Sequence, residues 1–170
     1  LFPKFESGMS TILGSAKYDI SMLFTYVAID RYLKKNGKLG FVISQSLLKT
    51  SGAGQGFRRF VLPDKTSIGV CKVDDFVAVN PFEGATNRTA TFVLTHGVKT
   101  CYPIPYVIWK KKRIGRGRKI PFDGQYSEVF KNGLQSTEWC ATPISDIDST
   151  GAWLTVRKGA LPAIQKVLSG

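Results

Sequence analysis

The segment from Lys17 to Ser44 constrains the fold most, because a helical pattern leads through a short turn into an apolar strand. Asp19 is placed to cap the helix, and Asn36 with Gly37 ends it. The following KLGFVIS is a continuous run of β-formers, which predicts a buried strand. A helix followed by a buried strand is half of a βαβ unit, so we expect an α/β fold. The spacing i, i+3, i+4, i+7 predicts one apolar helical face, made of Ile20, Leu23, Phe24, Val27, Ala28 and Tyr32.

The following residues extend this α/β pattern up to about residue 97. A glycine-rich stretch, SGAGQG, precedes FRRFVLP, where Phe57, Phe60 and Val61 predict a second helix that Pro63 ends. The runs SIGVCKVDDF and TATFVLTHG predict two strands, joined by the turn-rich NPFEGATNR. Helix, strand, helix and an antiparallel strand pair make up the second half of an open α/β sheet.

Beyond residue 100 the pattern weakens. YVIWKKK could form one more strand, and GALPAIQKVLSG predicts a short helix at the end. Residues 101–170 offer few apolar positions for a core of their own. We therefore expect a boundary near Thr100, with residues 1–100 in one domain and residues 101–170 as a basic loop and connector.

The charge of the chain is concentrated in one segment. The net charge is +12, which favours polyanionic partners. The run KKKRIGRGRK, Lys110–Lys119, carries seven cationic and no anionic side chains, which predicts an exposed loop. Either this loop contacts phosphates or it is a solubilising turn without a ligand.

Several classes of protein are disfavoured by what the sequence lacks. A single histidine, His96, and three dispersed cysteines disfavour a zinc site, a His-based triad and a disulfide framework, and fit a reducing cytoplasm. No apolar run reaches the length of a membrane helix, and no signal peptide is recognisable. We expect a cytoplasmic protein without membrane contact. The opening LFPKFESGMS suggests an excised fragment.

Gly52, Gly54 and Gly56 raise the possibility of a nucleotide site. A phosphate-binding loop begins where a strand ends, whereas here about seven residues separate the glycines from LGFVIS. No acidic residue follows about 20 residues later at a strand end. We favour a flexible loop, and a nucleotide-dependent enzyme is the weakest of the functional hypotheses.

As an ordered series, three segments resemble the C-terminal half of the catalytic domain of N6-adenine DNA methyltransferases. They are YDISMLFTYVAIDRYLKKNGKLGFVIS, FRRFVLP and VNPFEGATNRTATFVL, within residues 17–97. The closest similarity is to the large bacterial restriction-modification type, in which methyltransferase and specificity domains share one chain. PYVIWKKK and the final segment resemble the connector toward the target-recognition domain. The resemblance implies a Rossmann-like sheet, S-adenosylmethionine as cofactor and double-stranded DNA as partner.

The resemblance also assigns roles to residues of this chain. In the family an aromatic residue before the last hairpin stacks on a flipped adenine, and Phe82 occupies that position. Phe24 matches an aromatic residue that packs on the adenine ring of the cofactor, although it could equally be core, and Asp19 could border that pocket. The candidate DNA contacts are Asn87, Arg88 and Thr89, with Lys110, Lys111, Lys112, Arg113, Arg116, Arg118 and Lys119 of the basic run.

Two family motifs are missing from the chain. The NPPY-type tetrapeptide that activates the adenine amino group does not occur, and neither does the glycine-rich loop for the methionine end of the cofactor. Asn80-Pro81-Phe82 follows the KLGFVIS strand and is not that tetrapeptide. We expect both motifs in an N-terminal half upstream of Leu1 and a specificity domain downstream, so this fragment is expected to be inactive alone. The alternative hypothesis is a non-enzymatic nucleic-acid-binding module that uses the Lys110–Lys119 run.

Overall fold

A computed structural model describes residues 20–50, 54–82, 88–114, 118–119, 128–145 and 147–168. Three helices and eight strands follow one another within these residues. In chain order they are α1 (Ile20–Tyr32), β1 (Lys38–Ser44), α2 (Ser46–Lys49), β2 (Ile68–Ala78), β3 (Thr89–His96), β4 (Ile104–Lys111), β5 (Arg113–Ile114), β6 (Arg118–Lys119), β7 (Leu134–Pro143), β8 (Trp153–Arg157) and α3 (Leu161–Leu168). Shorter helical turns occupy Phe57–Arg59, Val129–Gly133 and Lys158–Ala160.

Six strands form one mixed sheet in the order β1-β3-β2-β4-β7-β8. Only β2 and β4 are parallel neighbours, and the other pairs are antiparallel. The predicted antiparallel pair is confirmed as β2 and β3, with Ile68 opposite His96 and Asp75 opposite Ala90. The chain therefore has an α/β fold whose partly parallel sheet is compatible with a Rossmann-like architecture.

The strands β1, β2 and β4 all point the same way, because β1 and β2 each pair antiparallel with β3 and β2 is parallel to β4. Their carboxyl ends, Ser44, Ala78 and Lys111, therefore lie along one edge of the sheet. The antiparallel strands β3 and β7 begin at this edge, at Thr89 and Leu134. We call it the carboxyl edge.

One side of the sheet, the packed face, carries the main hydrophobic core. Alternate residues of β3, namely Ala90, Phe92 and Leu94, point into it and are buried. The other buried core residues, from the helices, turns and remaining strands, are Met22, Tyr26, Val27, Ile29, Ile43, Leu47, Leu48, Phe57, Phe60, Leu62, Ile68, Val70, Val73, Ile104, Tyr106, Ala141 and Trp153.

A β-bulge at Cys71 explains why the alternation in SIGVCKVDDF breaks. The register with β3 shifts between Val70 and Lys72, so both Val70 and Val73 are buried on the packed face. Cys71 lies with its Sγ 2.9 Å from the Thr95 hydroxyl oxygen. Because of the bulge, β2 contributes apolar side chains to the same core both before and after Cys71.

The helix α1 is confirmed, and its predicted apolar face is right only in part. Val27 is buried and Leu23 packs against the core, but Ile20, Phe24 and Tyr32 are exposed, Tyr32 to 81%. The helix is apolar around most of its circumference, so periodicity alone did not identify the side that packs on β1 and β3. Met22, Tyr26 and Ile29, at i, i+4 and i+7, form the true contact stripe.

The turn predicted at Asn36 and Gly37, after α1, is confirmed. Asn36 has a φ of 64°, a left-handed conformation that asparagine tolerates better than most residues. Its N–H donates to the His96 carbonyl at 2.9 Å, and the His96 N–H donates back to the Gly37 carbonyl at 3.0 Å. The turn therefore extends the pairing of β1 with β3. The predicted cap, Asp19, lies outside the described residues.

The predicted second helix through Phe57 and Val61 is wrong, because only the turn Phe57–Arg59 is helical and Phe60 has a φ of 49°. A short helix, α2, instead directly follows β1. The buried Arg58 guanidinium joins the two segments by donating to the carbonyls of Leu47 at 2.5 Å and Thr50 at 2.9 Å. Three-dimensional packing rather than helix propensity therefore organises this segment.

Gly54 and Gly56 are buried beside Arg58, so the expectation of a flexible loop is wrong for these two glycines. A Cβ at Gly54 would collide with the Leu47 carbonyl and with the Arg58 guanidinium. The Arg58 N–H also donates to the Gly54 carbonyl at 3.0 Å. At Gly54, absence of a side chain permits close packing.

The other side of the sheet, the second face, is more sparsely covered by the residues that the structure describes. Val42 of β1 points to this face and is 52% exposed, so the prediction that β1 is buried is wrong for this side of the strand. A small cluster at the carboxyl edge contains Val79, Val129 and Leu134, with Phe76, Trp109 and Phe130 packed against it. Apart from this cluster, the core of the described residues is on the packed face.

The sheet continues past residue 100. The strand predicted in YVIWKKK is confirmed as β4, which pairs with β2, and β7 and β8 extend the same sheet. The predicted domain boundary near Thr100 therefore does not coincide with a break in the sheet, and the division of the parent protein into domains stays a prediction. The short final helix is confirmed as α3.

The basic run is not wholly a loop. Its first two residues, Lys110 and Lys111, end β4, and Arg113–Ile114 pairs with Arg118–Lys119 as the antiparallel hairpin β5-β6. Arg116 lies outside the described residues. The lysines at the end of β4 are fixed by ladder pairing, with Lys110 opposite Gln135 and Lys111 opposite Leu134.

Candidate functional site

Phe82, Arg88 and the lysines at the end of β4 all lie at the carboxyl edge. Phe82 and Arg88 belong to the connection between β2 and β3, which places Phe82 between the two strands of the antiparallel pair rather than ahead of it. Lys110 is opposite Ala78, the last residue of β2. In open α/β sheets, ligands bind outside the carboxyl ends of the parallel strands. The edge is therefore the candidate functional site.

The turn after β2 sets the direction of the chain toward Phe82. The N–H groups of Val79 and Asn80 both donate to the Phe76 carbonyl, at 2.9 and 3.0 Å. Asn80 has a φ of 50°, and Pro81 follows with its restricted φ. These features hold the start of the loop, and the Phe82 side chain is 52% exposed. An exposed phenylalanine at the restrained start of a loop is available for contact with a ligand.

Phe82 borders a pocket of about 290 Å³ on the second face. The walls come from β1, β2, β3, β7 and the helical turn Val129–Gly133. They are almost wholly apolar, and the lining residues are Val42, Phe76, Pro81, Phe82, Thr89, Thr91, Phe130 and Leu134. Thr89, a predicted DNA contact, is buried, and it is accessible to a ligand only as part of the pocket wall.

A buried polar cluster joins the end of β1 to β2 and to the first half of β4 on the packed side. The Asp75 carboxylate accepts hydrogen bonds from Gln45 Nε2 at 2.6 Å and from the Tyr106 hydroxyl at 2.5 Å. Its other oxygen accepts from the Val77 N–H at 2.9 Å. With three donors, Asp75 has the environment of a structural carboxylate that holds three strands in register.

Lys49 links this cluster to solvent. Its Nζ is 3.9 Å from Asp75 Oδ2 and 5.2 Å from the centre of the Tyr106 ring. Burial lowers the pKa of Lys49, Asp75 opposes that change, and Arg88 lowers the pKa further.

The position of Arg88 is fixed by the backbone. Its carbonyl accepts from the Gln45 N–H at 2.7 Å, which continues the β1-β3 ladder by one step, while the residue itself is exposed. Asn87 lies outside the described residues.

The basic run adds further positive charge to the same edge. Lys110 is exposed, and Lys111 and Lys112 are half-buried. Lys112 Nζ donates to the Lys131 carbonyl at 2.9 Å, which ties the basic run to the helical turn Val129–Gly133. The backbones of Arg113, Arg118 and Lys119 form the hairpin that extends from this point.

Phe24, the predicted cofactor contact, is separate from these groups. It is 50% exposed and belongs to α1, on the packed side of the sheet. Because α1 leads through a short turn into β1 and packs back against it, the first turns of α1 lie toward the carboxyl edge. The alternative that Phe24 is a core residue is wrong for this chain, and its assignment to the cofactor stays a prediction.

A larger groove of about 670 Å³ lies along β4 and β7 beside α3. Its charged lining residues are two cations, Lys72 and Lys158, and one anion, Glu138. Lys72 forms an ion pair with Asp74 at 2.8 Å. The charges of the groove nearly balance, so they do not favour a charged ligand, in contrast to the cationic carboxyl edge.

The sequence pattern did not identify Asp75, Gln45 or Phe130 as parts of the site. Two adjacent carboxylates within an apolar strand, as in KVDDF, are unusual and could have marked Asp75. Gln45 directly after an apolar strand was a weaker signal. Phe130 had none, because its position at the pocket depends on the pairing of β7 with β4.

No protein-family model and no curated protein sequence matches this chain. Among the residues that the structure describes, no helix is long and apolar enough to cross a membrane. Within the same residues, no three His, Cys, Asp or Glu side chains are grouped so that they could hold a metal ion.

Proposed function

We propose that this chain is part of a site-specific adenine DNA methyltransferase, which transfers a methyl group from S-adenosylmethionine to N6 of an adenine flipped out of double-stranded DNA. One observation carries the proposal: an exposed phenylalanine, Phe82, lies at the carboxyl edge of the parallel strands together with the exposed cations Arg88 and Lys110. The proposed reaction itself rests on the sequence resemblance of the three ordered segments to adenine DNA methyltransferases.

The physical demands of base flipping fit this arrangement. An extruded base loses its stacking partners in the duplex, and an aromatic face can restore part of that interaction. The DNA phosphates beside the base need cationic contacts, which Arg88 and Lys110 can supply. The two kinds of group therefore have complementary roles: Phe82 receives the base, and the cations position the duplex.

The shape of the sheet agrees with a chain that is one part of a larger catalytic domain. Within the described residues β1 is the first strand of the sheet and pairs only with β3. Its apolar residue Val42 is exposed on the second face. We place the missing catalytic tetrapeptide, the methionine-binding loop and the further strands in an N-terminal half, and we place the specificity domain downstream. In that arrangement Phe24 faces S-adenosylmethionine, and Asp19, which lies outside the described residues, borders the same pocket.

The test uses the chain within its complete reading frame. Transfer of labelled methyl groups from S-adenosylmethionine to N6 of adenine in DNA is the readout. Because stacking of one base on an aromatic side chain is worth about 1–3 kcal/mol, we expect Phe82→Ala to lower kcat/KM roughly 5- to 150-fold. Phe82→Trp keeps the aromatic face and should retain most of the activity.

Tyr32→Ala is the matched control, because Tyr32 is an exposed aromatic residue at the C-terminal end of α1, away from the carboxyl edge. It should leave kcat/KM unchanged. Equal rates for Phe82→Ala and the unaltered enzyme would contradict the role of Phe82. Absence of methyl transfer and of S-adenosylmethionine binding in the complete protein would contradict the proposed reaction.

The second candidate is a non-enzymatic nucleic-acid-binding module, which the seven cationic residues of Lys110–Lys119 favour. This hypothesis predicts salt-dependent DNA or RNA binding that Phe82→Ala leaves unchanged. In both hypotheses a cation that contacts a phosphate adds about 0.9 to the slope of log K against log salt concentration. Arg88→Ala should therefore reduce the slope by about that amount. Methyl transfer, S-adenosylmethionine binding and the effect of Phe82→Ala separate the two hypotheses.

A further inference from the structure

The pocket beside Phe82 has a second aromatic wall that the sequence resemblance does not include. Phe130 lies in the helical turn Val129–Gly133, in the segment predicted to be only a connector. It lines the same 290 Å³ space as Phe82, and Phe76 contributes a third ring. Three aromatic side chains, from β2, from the loop directly after it and from the helical turn, therefore surround one small opening.

Phe130 is held in place by a series of aromatic contacts. Its ring meets Trp109 edge to face, with 5.2 Å between centroids and an interplanar angle of 69°. Trp109 in turn stacks on Phe76 at 6.1 Å and 10°, and its indole N–H donates to Asp74 Oδ1 at 2.8 Å. A wall fixed in this way loses little conformational freedom when a ligand enters, so it is preorganised for binding.

The size and lining of the pocket suit a flat ring system. An apolar protein cavity of roughly 150 Å³ holds benzene, so about 290 Å³ accommodates a bicyclic base. Aromatic walls interact with the face or the edge of such a ring. The two threonines, Thr89 and Thr91, are the polar residues of the lining.

The charge around the opening identifies the kind of molecule that carries the ring. Lys131 follows Phe130 and is exposed, and Lys111 of β4 is opposite the pocket residue Leu134, on the second face. Lys112 Nζ donates to the Lys131 carbonyl, which holds a third cation at the helical turn. The exposed anion Glu128 directly precedes this turn. A ring with phosphates on either side complements an apolar pocket with a predominantly cationic rim.

We propose that this pocket receives a single unpaired nucleobase of a DNA strand, and that Phe130 is the inner wall that positions the base opposite Phe82. The inference deepens the proposed function and rests on its assignment of DNA as the partner. It adds a positioning residue from beyond Thr100, so that the connector segment takes part in holding the base.

The experiment measures binding of the 170-residue chain to two short DNA duplexes of equal length, at the same salt concentration. One is fully paired, and the other carries 2-aminopurine as a single unpaired base, whose fluorescence reports its stacking. The unaltered chain should prefer the duplex with the unpaired base and change its fluorescence. Phe130→Ala and Phe82→Ala should each reduce that preference at least about fivefold, while affinity for the paired duplex stays the same.

Two further variants keep the result interpretable. Phe130→Leu preserves an apolar side chain in the small cluster but removes the ring, and it should lose the fluorescence change while retaining the thermal midpoint of the unaltered chain. Tyr32→Ala, an exposed aromatic residue away from the pocket, should behave like the unaltered chain.

The outcomes separate the two proposals. An unchanged preference and fluorescence in both Phe130 variants, with an effect of Phe82→Ala, would overturn the role of Phe130 and leave the proposed function standing. Equal affinity of the unaltered chain for both duplexes would overturn the base pocket. Absence of binding to either duplex at low salt would overturn DNA as the partner and both proposals with it.

Discussion

The two faces of the sheet differ in how completely their side chains are buried. On the packed face, Phe57, Phe92 and Tyr106 are fully buried, and the buried Asp75 carboxylate accepts hydrogen bonds from three internal donors. On the second face, Val42 and Phe82 are each 52% exposed beside an open pocket.

This difference separates residues that determine stability from residues available for binding. A side chain that is already surrounded cannot contact a ligand without disrupting the core. A half-exposed aromatic residue such as Phe82 can contact a ligand with little cost in stability. Candidate ligand contacts are therefore best sought at the carboxyl edge and the second face, and substitutions on the two faces should have different consequences.

The largest expected effect is at Phe57, at the centre of the packed face. Its ring contacts those of Tyr26 and Phe60, both at 5.8 Å, and that of Phe92 at 6.0 Å. Phe57→Ala should lower the free energy of unfolding by about 3–5 kcal/mol, because it removes a large buried ring. Phe82→Ala, at the same type of residue, should lower it by about 1 kcal/mol or less. Urea unfolding followed by tryptophan fluorescence measures both values, and similar losses would contradict the distinction between the faces.

A smaller effect is expected at Gly54. In Gly54→Ala the new methyl group meets the Leu47 carbonyl, a backbone atom that cannot move aside freely, as well as Arg58. We expect a loss of about 1–3 kcal/mol in the free energy of unfolding. Gly40→Ala is the matched control, since no atom lies within 4 Å of the added Cβ and the residue is exposed in β1. If both variants unfold at the same urea concentration, close packing at Gly54 does not contribute to stability.

The pH dependence of stability provides the third test. Burial raises the pKa of Tyr26, whose hydroxyl donates to the Phe57 carbonyl at 2.7 Å, and it also raises the pKa of Tyr106 and brings that of Tyr102 to about 12. In the unfolded chain tyrosine titrates near pH 10. The stabilisation is therefore complete below about pH 10 and is lost as the pH rises toward the folded-state values, by up to about 1.4 kcal/mol per pH unit for Tyr26.

Urea unfolding between pH 8 and pH 11 measures this loss. Tyr26→Phe should make the curve less steep above pH 10, although it also removes the hydrogen bond to Phe57. Tyr32→Phe is the control, because Tyr32 is exposed on α1. A curve for Tyr26→Phe as steep as that of the unaltered chain would show that this buried hydroxyl does not cause the alkaline loss.

Local pattern identified six of the eleven helices and strands in the described residues, because each of these six has a strong local signal, whereas α2 and β5 to β8 were not predicted. The helix α1, the strands β1 to β4 and the final helix α3 all lie where periodicity and β-forming residues indicated. Which side of an element is buried depends on its neighbours, so Phe24 and Val42 are exposed against expectation. The predicted helix at Phe57 is wrong for the same reason: Arg58 hydrogen bonds to distant carbonyls organise that segment.

The candidate site shows the same limit. Phe82 and Arg88 were identified from a turn-rich loop and a family resemblance, both of which are local in sequence. The Asp75 cluster joins Gln45, Asp75 and Tyr106, which are 30 and 31 residues apart, and no local pattern indicates such contacts. Phe130 reaches the pocket only through the sheet extension beyond Thr100. Sequence reasoning thus identified the exposed groups of the edge and not the groups that support them.

The central hairpin of β2 and β3 has a consequence for the order of folding. Its two strands are joined by one loop, so their pairing closes a comparatively short segment, whereas β1 pairs with β3 across the whole of β2, with Lys38 opposite Thr95. Loop-closure entropy favours the pairing of shorter range, and non-local pairings slow the formation of a sheet. The hairpin can therefore serve as the nucleus on which β1 and β4 assemble. On this route, the loop that carries Phe82 would be closed early, and the carboxyl edge would be completed later, as the flanking strands arrive.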